Sequence, residues 1–280
     1  MEVLIGSGGS TARRRMTAIL ERWETSGDGR AVFLTTWARC TDSVLAAVQN
    51  GRLADAAWVL TLLDDLAAYY FITIEPDDDD LRRVTPPAWR AAHDAAASRD
   101  ATAHEALILG VNAAINNDLP QAVCDALLAE WPLNNTRLER RHQDLCIVLD
   151  IVATAIDPAG GAVVDCGPRT LRAAEARARA DCSRHIAHLV NAWSDEVWEN
   201  AIALVTSADE RWRDVIRDTV EHTALRRAHL VMCDITARSH LLELPAHRLD
   251  YVFPVRHEPL SCRVPARLPQ WGGAAPAAAS

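Results

Sequence analysis

The stretch His104-Glu105-Ala106-Leu107-Ile108-Leu109-Gly110-Val111-Asn112-Ala113-Ala114-Ile115-Asn116-Asn117-Asp118-Leu119-Pro120 decides how the chain is read. Its apolar residues recur nearly all round a helical wheel, which places it in the middle of a fold. It nevertheless carries Asn112 and Asn116 one turn apart, then Asn117 and Asp118 just before a proline. A buried amide or carboxylate left unpaired costs about 1–3 kcal/mol. The cluster is therefore either a braced helix joint or a site. As a joint, Asn117 or Asp118 caps a helix that includes Pro120, and Asn116 closes the helix before it. As a site, the same residues form the polar floor of a pocket, with Asp118 as metal ligand or general acid/base.

The flanking sequence reads as helix almost throughout. Apolar spacing predicts helices over residues 11–24 and 30–50, the second stopped by Gly51 as a left-handed cap. Asp55 caps a third helix over 56–74, and Pro86-Pro87 starts a short one holding Trp89 and His93. After the central stretch comes a turn at residues 117–120, then a helix reaching Trp131. Asn134 and Asn135 cap a helix to Ile156. A long pattern over 170–207 carries a break near Ser194-Asp195, and Asp209 opens a helix to Ile235. Residues 162–165 read as a short extended piece, and Asp77-Asp78-Asp79-Asp80 as a solvated acidic loop. Short links, without repeats or composition breaks, predict one all-α domain over residues 11–247, an antiparallel multi-helix bundle. Residues 1–10 read as a flexible N-terminus, and the Pro-rich residues 248–280 as an extended or disordered tail.

Composition narrows the chemistry. Hydrophobic residues make up 49% of the 280, enough for a sizeable core, and they include nine Trp against three Phe and three Tyr. All 29 basic residues are Arg, which excludes a Schiff-base or phosphate-loop lysine. A net charge of −9 without a basic block argues against nucleic acid as a partner. Seven scattered cysteines without a C-x-x-C pair, and no secretory signal, predict a reduced, cytoplasmic protein. No uninterrupted apolar run reaches the roughly 18–20 residues of a membrane span. Neither a Gly-rich phosphate loop nor a G-x-S-x-G elbow is present.

The segment Gly110-Val111-Asn112-Ala113-Ala114-Ile115-Asn116-Asn117-Asp118-Leu119 resembles the G-[MV]-N-A-H-I-N-x-D-L pattern of a largely actinobacterial domain-of-unknown-function family, number 5995. Three further features agree: Leu63-Asp64 in an aromatic-containing helix, Pro87-Ala88-Trp89-Arg90, and Trp193 followed by Trp198-x-Asn200-Ala201. The likeness covers roughly residues 30–240 and implies an all-helical fold with no assigned activity. Ala114 stands where the family pattern has histidine, so the resemblance carries no histidine chemistry to this chain.

Paired carboxylates supply the remaining candidate chemistry. Asp64 and Asp65 sit midway along an apolar helix, and consecutive residues point about 100° apart. Either Asp65 is solvated and Asp64 paired with an arginine, or Asp64 faces Asp118 in one cavity. The second arrangement holds Mg²⁺ or raises one pKa for acid chemistry. Asn117-Asp118-x-x-Gln121-x-x-x-Asp125 resembles a degenerate N-D-x-x-[ST]-x-x-x-E metal motif of class I terpene synthases, with Asp64-Asp65 as the counterpart of their aspartate-rich motif. Gln121 replaces the hydroxyl residue and the third aspartate is missing, so the resemblance is one of chemistry rather than descent. His185 and His188 at i, i+3, and His222 and His229 two turns apart, read as solvated or structural. Trp193, Trp198 and Trp212 are expected in the core or lining a pocket.

Two functions are compatible with these features. The first is an enzyme of specialised metabolism acting on an apolar small molecule, a terpenoid- or polyketide-like cyclase or lyase. Asp64 and Asp118 would be its acid/base groups, and Asp64, Asp118 and Asn117 the ligands of any Mg²⁺. Asn112, Asn116, Trp193 and Trp198 would hold the substrate. The second is a non-catalytic helical binding or scaffold protein in which the polar residues only brace. A pocket of roughly 300–1,000 Å³ reached by Asp64, Asn112 and Asp118 would favour the enzyme.

Overall fold

The fold is described from a computed structural model covering residues 8–74, 85–98, 101–156, 169–232 and 241–245. Among these residues the regular structure is all helical, in the order α1 (Gly8–Ser26), α2 (Ala31–Gln49), α3 (Ala56–Ile74), α4 (Pro87–Ala97) and α5 (Ala103–Asn112). A π-helical turn (Ala113–Asp118) leads straight into α6 (Leu119–Leu128), followed by α7 (Asn135–Ile156), α8 (Arg169–Thr206) and α9 (Glu210–Met232). The all-α, single-domain bundle expected from the sequence is what forms. The proposed acidic loop at 77–80, the extended piece at 162–165 and the tail at 248–280 lie outside the described residues.

Local chemistry sets several helix ends. Asp55 Oδ1 accepts the Trp58 N–H at 3.0 Å, Asn134 Oδ1 that of Arg137 at 2.9 Å, and Asp209 Oδ1 that of Trp212 at 3.0 Å. Thr102 and Glu105 form a reciprocal capping box at the start of α5. Gly51, at φ +66°, ends α2 as expected, with Arg52 N–H returning to the Ala47 carbonyl. The start of α3 is also pinned from α7: buried Asp144 accepts the N–H groups of Ala54 and Asp55 at 2.7 and 2.8 Å. Arg141 links Asp55 and Glu130 at 2.7 and 2.6 Å.

Three expectations about helix limits change. Residues 8–10, assigned to the flexible N-terminus, already belong to α1. The break near Ser194 does not occur, because Ser194 turns its hydroxyl back onto the Asn191 carbonyl at 2.8 Å while α8 continues. The turn at 117–120 does not occur either, and α5, the π turn and α6 form one continuous helical rod.

That rod lies at the centre, contacting α2, α3, α4, α8 and α9, and one hydrophobic cluster runs through the bundle. Gly110 permits the crossing with α2: a Cβ there would lie 2.5 Å from the ring of Phe33. By length and mean hydropathy α3 could cross a membrane, although no uninterrupted apolar run marks it in the sequence. Its buried face, with Leu62, Leu66 and Tyr70, packs into the core.

Candidate functional site

The π turn places the polar cluster. Leu119 N–H bonds the Ala114 carbonyl, five residues back instead of four. Widening the helix here accommodates Pro120, whose ring would clash with the carbonyl four residues earlier in a regular α-helix. Gln121 Nε2 donates to the Asn117 carbonyl at 2.9 Å, recovering an acceptor at the same place. Asp118 makes no capping hydrogen bond, Asn117 gives its amide to the Asp118 carboxylate, and Asn116 gives its own to the Asn112 side chain rather than to a helix carbonyl, so the joint reading fails in its detail.

Asn112 and Asn116 brace the rod against α9. Asn112 Nδ2 donates to the Ala224 carbonyl at 2.8 Å, and Asn116 Nδ2 donates to Asn112 Oδ1 at 3.0 Å. Asn116 Oδ1 in turn accepts from Arg227 Nη1 at 2.9 Å. The fully buried Arg227 guanidinium also holds Glu196 of α8 and donates to the Leu244 carbonyl at 3.1 Å. Trp193 lies beneath that guanidinium at 5.3 Å and donates its indole N–H to the Leu242 carbonyl at 2.7 Å. Two residues expected to hold substrate, Asn112 and Asn116, thus have their polar groups engaged inside the protein. Trp193 is core, and Trp198 stacks on His142 at 4.6 Å. Trp212, expected in the core or a pocket wall, is 62% exposed.

Asp118 points the other way, to α4. Its Oδ2 accepts the Trp89 indole N–H at 2.7 Å and its Oδ1 the Asn117 amide at 2.8 Å. Burial pushes this carboxyl up to about 7, against the lowering effect of those two hydrogen bonds. Asn117 Oδ1 has no partner. When Asp118 is protonated, a half-turn of the Asn117 amide lets that oxygen accept the carboxyl proton.

Asp64 and Asp118 do not share a cavity. Burial alone raises the half-buried Asp64, to about 6, with no other charged group contributing. The expected arginine partner of Asp64 is also missing among the described residues. The neighbouring residue is the one that feels a carboxylate of the rod: Asp65 rises to about 6 through burial, then the charge of Asp125 of α6, then that of Asp64. Asp125 accepts the Tyr69 hydroxyl at 2.7 Å and lies near Arg217 and Arg213 of α9. Asp118 in turn is shifted by its burial and by its hydrogen bonds to Asn117 and Trp89, with no contribution from Asp64. The set Asp64, Asp118 and Asn117 therefore cannot hold one ion. Among the described residues no three His, Cys, Asp or Glu side chains converge as metal ligands.

The groups missed in the sequence are Trp89, Tyr69, Asp125 and Arg227. Tyr69 stands four residues after Asp65, and Asp125 ends the degenerate terpene-synthase-like pattern; those were the available signals.

On the opposite side of the π turn lies a cavity of about 60 Å³, partly open to solvent, between α2, α3, the rod and α7. Trp37, Val44, Leu66, Val111, Ala114 and Val148 are among its lining residues. Neither Asp64, Asn112 nor Asp118 reaches it. Ala114, where the family pattern has histidine, forms part of its wall.

A bundle built on a central rod, with a polar seam on one side and an apolar cavity on the other, defines an all-helical single-domain protein. The chain belongs to a family of unknown function, DUF5995, whose model matches residues 10–233. No curated protein and no solved structure matches it.

Proposed function

We propose that this chain is a helical binding protein for a small apolar molecule, seated in the cavity between α2, α3, the π turn and α7. The observation that carries this reading is the division of the rod. Asn112 and Asn116 are spent on internal hydrogen bonds, while Val111, Ala114 and Ile115 line open apolar space. Natively packed cores leave few voids larger than a water molecule, so such space is costly unless a ligand fills it. Benzene is the simplest probe. A ligand that binds only the folded state raises stability by about 2.7 kcal/mol at a hundred times its Kd. Benzene should therefore raise the melting temperature of the wild type in a saturable way. Ala114→Leu, which fills the space, should remove that response while the variant stays folded. A wild-type melting temperature indifferent to benzene and to toluene would defeat the reading.

A second reading, a cyclase- or lyase-type enzyme of specialised metabolism acting on an apolar substrate, is supported by one observation. Burial brings Asp118 to about 7, where a carboxyl exchanges protons at neutral pH. Its test is untargeted mass spectrometry of metabolites from strains carrying the wild type, Asp118→Asn or no copy. Identical profiles for the wild type and Asp118→Asn would remove it.

A further inference from the structure

Leu128, Trp212, Val215 and Met232 are the large apolar side chains left exposed among the described residues. Two of them, Trp212 and Val215, stand one turn apart on α9, at 62% and 51% exposure. At 100° per residue, Arg211, Trp212, Val215, Asp218 and Thr219 fall within an arc of about 120°. All five are exposed, while Val220, Ala224 and Arg227, on the opposite side of the helix, pack into the bundle. Tryptophan is among the residues most often buried at the centre of interfaces, where it contributes most of the binding energy.

The charges around this stripe are arranged with a direction. Arg213 pairs with Glu210, and Arg217 pairs with Glu210 and Asp214, all within α9. Arg211 and Asp218 have no ion-pair partner among the described residues, and they bracket the apolar pair seven residues apart. We propose that this face of α9 docks a second copy of the chain, with the two α9 helices antiparallel across a two-fold axis near Val215. A two-fold interface uses the same patch on both copies, so the patch must complement itself. A cation at one end and an anion at the other do so only when the helices run in opposite directions. Arg211 of each copy then meets Asp218 of the other, and the two Trp212 rings close over the Val215 side chains between them. A parallel pair would set like charges together. Three turns of one helix bury less than a standard interface, so the dimer is a transient one, with a Kd on the order of 10–100 μM. The net charge of −9 on each copy opposes association. At about 0.15 M ionic strength that repulsion is screened beyond about 8 Å, whereas the end pairs act at contact.

Sedimentation velocity of the full chain from about 5 to about 500 μM, spanning that Kd at constant ionic strength, tests the proposal. The wild type should pass from monomer to dimer, and Trp212→Ala should weaken the dimer by about tenfold or more. Arg211→Asp and Asp218→Arg should each stay monomeric alone, because each sets like charges together at both ends of the pair. Mixed in equal amounts they should associate, and both changes in one chain should restore the dimer. All these side chains are exposed, so melting temperatures should stay near that of the wild type. A wild type monomeric across the range overturns the proposal, whatever else covers the face. So does a dimer that Trp212→Ala or either single reversal leaves intact, or a mixture of the two reversals that stays apart.

Discussion

Trp89 and Asp118, on α4 and at the end of the π turn, are joined by an indole N–H donated to a buried carboxylate oxygen at 2.7 Å. Trp89 is itself held by rings on three sides, with Tyr70 at 4.9 Å, Phe33 at 5.3 Å and His93 stacked at 5.5 Å. The carboxyl is thus fixed in place but starved of solvent, which is why burial outweighs its two hydrogen bonds.

Asp118 therefore makes stability depend on pH. Its folded-state value of about 7 lies above the unfolded value of about 3.9, so the folded protein holds the extra proton between them. That contribution is fully present below pH 4 and is lost as pH rises through 7. Asp118→Asn should match the wild type near pH 4 and melt higher at pH 8. Its Oδ1 still accepts from Trp89, and its new amide can meet the free Asn117 oxygen. Thermal melts across pH 4–8 check this; a variant that is less stable at pH 8 contradicts it.

Arg227 should be the costliest polar residue to remove. Arg227→Met takes the guanidinium from the partly buried Glu196 and leaves the Asn116 oxygen unpaired inside the bundle, an expected loss of about 3–5 kcal/mol by urea denaturation. Adding Glu196→Gln to that variant should recover part of the loss. Strict additivity of the two changes would mean that the residues do not act as a pair.

Gly110→Ala should destabilise by about 1–3 kcal/mol, because the added methyl overlaps the Phe33 ring. Phe33→Leu in the same chain should offset part of that cost. Equal losses from Gly110→Ala with and without Phe33→Leu would show that helix propensity, not the crossing, sets the effect.

Residues 241–245 lie beyond the matched family region, yet they are bound to the core through the carbonyls of Leu242 and Leu244, with Leu242 buried. Ending the chain before Leu241 should lower the melting temperature by several degrees, whereas ending it before Gly272 should leave it unchanged. The second segment, GGAAPAAAS, has almost nothing to bury. Equal melting temperatures for the two truncations would show that this contact adds no stability.

Among the described residues the helix order and many ends were legible because they rest on local chemistry. Asp55, Asn134, Asp209 and Gly51 act within a few residues of themselves, and each does what its type does elsewhere. The site was legible only in part. Asn112, Asn116, Asn117 and Asp118 stood out as polar residues on an apolar rod, and all four are buried. Their partners were invisible, since Trp89 and Arg227 come from distant positions and are brought in by packing. Arg227 is one of 29 basic residues, with nothing in its own neighbourhood to mark it. Asp64 was preferred to Asp65 because a helical wheel orders residues around an axis without saying where a neighbouring helix lies. A 3.6-residue period also cannot anticipate a π turn, so Pro120 read as a break.

The π turn also gives the rod an asymmetric tolerance to changes in length. A π turn holds one more residue than the α-helical turn it replaces. Deleting one residue within Ala113–Asp118 would bring α5 and α6 into ordinary α-helical phase, with Pro120 as the point of strain. Inserting one there would instead turn α6 by about 100° against α3 and α8. Asn112 and Asn116 toward α9, and Val111, Ala114 and Ile115 along the hollow, each keep ordinary helical spacing, so the spare residue decides how α6 is phased against those two faces rather than the faces themselves.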